Sequence, residues 1–109
     1  MKKIYNKLVR DKIPSIIEND NKKCNYHKAK EKERLNYLIK KLHEETLELE
    51  ASATREEVLE EIADIEDVLE MIALKYSWNE NDIYIKRVNK CDKKGWFKEF
   101  IILDSVEEE

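Results

Sequence analysis

Two apolar stripes at helical spacing lie almost end to end in this chain, and the short gap between them leaves the fold few choices. From about Lys32 to Ala51 the residues Leu35, Leu38, Ile39, Leu42 and Leu49 recur along one face of a helix. From about Arg55 to Tyr76 a second stripe runs through Val58, Ile62, Ile65, Leu69, Ile72 and Ala73. Thr54 followed by Glu57 has the spacing of a capping box, which sets the start of the second helix. The segment between the stripes is just long enough to turn one helix back against the other. Leu59, Ala63 and Met71 widen the apolar surface of the second helix beyond what one partner helix covers. That breadth predicts a bundle centre or a subunit interface.

The rest of the chain fits a mainly α-helical bundle. It has a single Gly and a single Pro, and 42% of its residues are charged, a composition that favours long helices over turn-rich β architecture. At 109 residues it is one domain, residues 1–109, near the size at which oligomerisation adds buried surface, so a homodimer or homotetramer is expected. Between Leu8 and Glu18, Pro14 suits the first turn of a short helix carrying Ile13, Ile16 and Ile17. A last helix starts at Asn79, with Asp82 three residues on, and stops at Gly95. Beyond it, Trp96 to Leu103 is aromatic and β-branched and reads as a strand. A short β pair could join residues 97–103 to the arm at 24–28. The acidic tail from Val106 to Glu109 is expected to fray. No apolar stretch is long enough to span a bilayer and the N-terminus lacks an apolar leader, so a soluble, cytoplasmic protein with no membrane partner is expected. Cys24 and Cys91 lack zinc-knuckle spacing and read as free thiols.

Charge is distributed very unevenly. From His43 to Glu70 twelve acids face the single cation Arg55, a formal −11, whereas the remainder of the chain is +7. Within that stretch Glu44-Glu45-x-x-Glu48 and Glu60-Glu61-x-x-Asp64 repeat one acidic signature on the two helices. At roughly 100° per residue, Glu45 falls about 60° and Glu48 about 120° from the centre of the first stripe, on one shoulder. Glu44 points nearly opposite that stripe, and Glu57, Glu61 and Asp64 share a shoulder of the second helix. An acidic helix face is ordinarily just solvated. Here Glu45, Glu61 and Asp64 border apolar stripes, so packing the helices would leave like charges partly desolvated, with no cation at helical spacing inside the stretch. A hard divalent ion, Mg2+ or Mn2+, would relieve them, and a polyphosphate is its natural partner. A di-iron bundle would want Glu-x-x-His pairs, which neither His27 nor His43 supplies. Cations for phosphate occur toward the ends, at Lys7, Arg10 and Lys12 and at Lys90, Lys93 and Lys94.

These residues carry a resemblance. The chain is similar to the all-α, MazG-like nucleotide pyrophosphohydrolase superfamily, whose metal signature is Glu-x-x-Glu, a spacer, then Glu-x-x-Asp. Glu45, Glu48, Glu61 and Asp64 match it, with twelve residues between the halves. The opening Tyr5-Asn6-Lys7-Leu8-Val9-Arg10-Asp11-Lys12-Ile13-Pro14 resembles the branch related to phosphoribosyl-ATP pyrophosphohydrolase, and with Lys94-Gly95-Trp96-Phe97 the match spans nearly the whole chain. Where relatives tend to have two glycines before the Phe, this chain has Gly95 then Trp96. Trp96 could stack on a base or simply pack the following segment.

The resemblance implies cleavage of a nucleoside triphosphate between its α and β phosphates, giving a monophosphate and pyrophosphate, with magnesium as cofactor and house-cleaning of modified or surplus nucleotides as the role. It implies that Glu45, Glu48, Glu61 and Asp64 hold metal, that Glu44 or Glu57 assists as base, and that Lys7, Arg10, Lys12 and Lys94 contact phosphate. Phosphoribosyl-ATP is an alternative substrate. The alternative from another class is a non-catalytic helical interaction module whose acidic face binds a basic partner. Nucleic acid is not an expected partner, because the acidic helices would repel its backbone.

Overall fold

The computed structural model describes residues 1–108, and Glu109, the end of the tail expected to fray, lies outside them. The chain is mainly α, with α1 at Ile13–Asn19, α2 at Glu31–Ala51, α3 at Arg55–Lys75 and α4 at Glu80–Lys94. It divides into two compact units, Met1–Ser77 and a second from Trp78 onward. No helix among the described residues is long and apolar enough to cross a membrane.

In the first unit each helix boundary has a local cause. Pro14 occupies the first turn of α1, where its missing N–H costs nothing, and Asn21 closes the helix in the left-handed region at φ 59. Helix α2 opens with Glu31 and Glu33, acids that suit the positive end of its dipole, and ends where the Ser52 hydroxyl donates to the Glu48 carbonyl at 3.0 Å. Only Ser52, Ala53 and Thr54 separate it from α3, so the two 21-residue helices form an antiparallel hairpin. Half of the expected capping box is present: the Thr54 hydroxyl accepts from the Glu57 N–H at 3.1 Å, whereas Glu57 Oε2 reaches past the cap residue and accepts from the Ala53 N–H at 3.2 Å. Helices α2 and α3 pack together, with Leu38 and Val68 as the buried apolar side chains. Burying each contributes about 1.5–3 kcal/mol. Leu59 and Met71, which widen the second stripe, are exposed, but so are Ile39, Ile62 and Leu69, which the periodicity placed on the core stripes, because one partner helix covers only part of each apolar face.

In the second unit α4 begins with a complete capping box. The Asn79 side chain accepts from the Asp82 N–H, and Asp82 accepts from the Asn79 N–H, both at 2.9 Å. Lys93 and Lys94 sit in its last turn, at the negative end of the dipole, and Gly95 ends it at φ 82. The β pair does not form: neither 24–28 nor 97–103 is a strand, and no strand occurs among the described residues. Phe100 turns into the left-handed region at φ 49 while its N–H donates to the Phe97 carbonyl at 3.2 Å. A turn at that point interrupts the two-residue alternation that a strand needs.

Candidate metal centre

The α2–α3 hairpin brings the two acidic signatures face to face. Glu45, Glu61 and Asp64 each offer a carboxylate oxygen, and these oxygens lie within 4.8 Å of one another; Glu44, Glu45 and Glu48 form a second such group that shares Glu45. Of the four residues matching the metal signature, Glu45, Glu61 and Asp64 therefore converge across the helices, and Glu48 joins through Glu45. The most informative is Glu45, only 3% exposed. Its Oε2 and the Oε2 of Glu61 are both buried with no hydrogen-bond partner. Two facing carboxylates supply acceptors only, so either a proton is shared between them or a cation lies against both.

The acidities follow from that geometry. Glu61 is pushed up to about 7, chiefly by the hydrogen bond it makes to Glu45 when it carries the proton, then by desolvation and the charges of Glu45, Glu48 and Asp64. Glu48 is also raised, by burial first and then by the charge of Glu45. Burial works to raise Glu45 as well, but hydrogen bonds from Glu61 and Lys41 outweigh it and hold Glu45 below the usual carboxylate range. Of the two, Glu61 is therefore the one that takes up a proton more readily.

Three cations temper the cluster, and one of them, Lys41, corrects the expectation that none sits at helical spacing. Lys41 lies just outside the acidic stretch, one turn before Glu45; its Nζ is 3.1 Å from Glu45 Oε1 and 3.5 Å from Glu44 Oε1. Burial disfavours its charge, yet the hydrogen bond to Glu45 and the two nearby carboxylates hold its pKa above the ordinary value. The other two come from the segment before α1. Lys7 Nζ is 3.0 Å from Glu44 Oε1, and Arg10 Nη2 is 2.6 Å from Asp64 Oδ1 and 2.8 Å from Asp67 Oδ2. Lys7 and Arg10, expected to contact phosphate, are thus engaged with the carboxylates themselves. Glu44, which the helical wheel places away from the core, is drawn into the cluster because Lys7 and Lys41 meet on its Oε1.

The remaining candidates lie elsewhere. Glu57 is taken up by the α3 cap and belongs to neither carboxylate group. Lys12 is the N-cap of α1, and among the described residues it makes no ion pair; Lys94 lies in the last turn of α4, in the second unit. Two participants escaped the sequence reading. Asp67 continues the three-residue acidic rhythm of Glu61 and Asp64 by one further step, and Lys41 stands at the i, i+4 spacing from Glu45 that forms ion pairs on a helix.

The donor set suits a hard ion. All of the donors are carboxylate oxygens, the ligands that Mg2+ and other hard cations take. The unpartnered buried oxygens of Glu45 and Glu61 are the atoms such an ion would satisfy. Comparison of the chain with protein-family models, with curated proteins and with solved structures gives no match.

Proposed function

We propose that this chain is a magnesium-dependent nucleotide pyrophosphohydrolase of the all-α, MazG-like kind, cleaving a nucleoside triphosphate between the α and β phosphates. The observation that carries the reading is Glu45, almost fully buried with an unpartnered oxygen, opposed by the unpartnered Glu61 and flanked by Asp64. A solvated acidic face leaves its carboxylates in water; this one buries Glu45 and one oxygen of Glu61. Glu45, Glu61 and Asp64 would hold the ion, with Glu48 beside them. Bound there, a divalent cation offsets the charge that develops on phosphate oxygens during phosphoryl transfer.

The chain's own groups supply the rest. Glu44, gathered into the cluster by Lys7 and Lys41, is the candidate to take a proton from the attacking water. Glu57 is not proposed for that task, because its side chain is spent on the helix cap. Lys7 and Arg10 are the cations nearest the cluster and the first available to a phosphate. A second copy of the chain is proposed to cover the apolar outer face of α3, where Leu59, Ile62 and Leu69 are exposed. A cytoplasmic setting accords with the free thiols at Cys24 and Cys91.

The test is pyrophosphate release from ordinary and modified nucleoside triphosphates and from phosphoribosyl-ATP, with magnesium and with chelator. Release that requires magnesium supports the reading, and the preferred member identifies the substrate group. Silence across the panel from folded protein rejects it.

A further inference from the structure

Arg10 does not merely approach the acidic cluster. One nitrogen, Nη2, is shared between Asp64 Oδ1 at 2.6 Å and Asp67 Oδ2 at 2.8 Å. Asp64 belongs to the converging carboxylate group, whereas Asp67, one turn further along α3, does not. The guanidinium therefore straddles the edge of the candidate site, with one foot on a metal-ligand position and one outside it. Its backbone is held close by: the Arg10 carbonyl accepts from the Ile13 N–H at 3.0 Å, so the residue leads directly into α1. Three residues earlier Lys7 reaches Glu44 on the other helix, so residues 7–10 bridge α2 and α3 across the acidic face.

From this geometry, and resting on the metal reading above, we infer that residues 7–10 are a resident cationic strap in which Arg10 competes with the divalent ion for Asp64, and that Asp67 is the residue that keeps Arg10 in place once Asp64 is taken. The electrostatics give the direction. An arginine hydrogen-bonded to a ligand carboxylate repels an incoming cation and draws negative charge away from it, so it weakens metal binding. The guanidinium has five donors, which leaves several free for an anion after it withdraws to Asp67. An ion entering the site thus moves Arg10 from a ligand to a neighbour of the ligand. There its positive charge lies beside whatever anion the metal draws in. Asp67 acts here as a positioning residue, acting through Arg10 and not by touching the ion.

The experiment is direct binding of Mn2+ alone, with no nucleotide, followed by loss of the free-ion electron paramagnetic resonance signal and by calorimetry. It uses the full chain, Arg10→Gln, Asp67→Asn and the double variant. The Arg10 pair is largely exposed, so its contribution is that of a surface ion pair, and Arg10→Gln is expected to bind Mn2+ about two- to fivefold more tightly. Asp67→Asn is expected to bind more weakly, because Arg10 then rests on Asp64 alone. In the double variant the Asp67 effect should largely disappear, which separates action through Arg10 from simple loss of a nearby negative charge. Unchanged or weaker binding by Arg10→Gln, or an undiminished Asp67 effect in the double variant, overturns the strap while leaving the metal site standing. No uptake of Mn2+ by any of the four proteins removes the metal site and this inference with it.

Discussion

Glu45→Gln should change stability in opposite directions according to whether magnesium is present. With chelator at a pH above 7, Glu45 and Glu61 are both ionised, and each keeps a buried oxygen without a donor. Glutamine at 45 retains the shape, still accepts from Lys41, and offers an amide N–H toward Glu61. Leaving a buried polar atom unsatisfied costs about 1–3 kcal/mol. Weakening the charged contact to Lys41 gives back about 0.5–1 kcal/mol. The net gain is about 1 kcal/mol, which for a chain of this length raises Tm by about 4 °C. With magnesium at about a hundredfold excess over its Kd, the parent chain gains about 2.7 kcal/mol from binding, or about 12 °C, while the variant, missing its central ligand charge, gains little. The order of the two melting curves therefore inverts between chelator and magnesium. Thermal unfolding followed by circular dichroism reads it directly. A variant less stable than the parent in chelator would refute the claim that the Glu45–Glu61 contact is unrelieved, and equal magnesium shifts in both proteins would refute the metal assignment.

Three further outcomes follow from the same contacts. In metal-free protein the Glu61 carboxyl is raised from about 4.5 to about 7, so the fold binds a proton that the unfolded chain has released. Its contribution is complete below about pH 4.5 and is lost as the pH rises toward 7; denaturant midpoints in chelator should fall across that window and flatten with saturating magnesium, and a midpoint that rises there contradicts the assignment. Glu57→Ala removes the acceptor for the Ala53 N–H and should lower stability by about 1 kcal/mol, as cap losses do, while pyrophosphate release per folded molecule stays near the parent value; loss of turnover at full stability would restore Glu57 as the base. Leu59→Asp places a charge on the exposed face of α3 and should convert an oligomer to a smaller species in light scattering coupled to size exclusion; a parent chain that is already monomeric removes the proposed interface.

What the sequence disclosed and what it concealed divide along a physical line. Helix positions were legible because the periodic apolar stripes and the caps at Thr54 and Asn79 are local signals, satisfied within a few residues of where they are written. The convergence of Glu45, Glu61 and Asp64 was legible because a three-residue connection leaves two amphipathic helices one way to meet, and the shoulders of their stripes meet with them. The 97–103 segment misled because β propensity describes side chains that suit a pleated surface, and Phe100 instead closes a turn.

The compensating charges were hidden for two different reasons. Lys41 stands outside the window over which charge was counted, though its spacing to Glu45 was in plain view. Arg10 is 54 residues from Asp64, and no local rule connects them. The same two residues decide how the cluster is balanced. Lys41 binds the ionised form of Glu45 and leaves the proton to Glu61, whereas Arg10 relieves Asp64 from the solvent side. An acidic pair relieved on its outer edges but not between its buried oxygens remains stable enough to fold and still favours a cation at its centre. That balance would let the proposed metal site assemble before any ion reaches it.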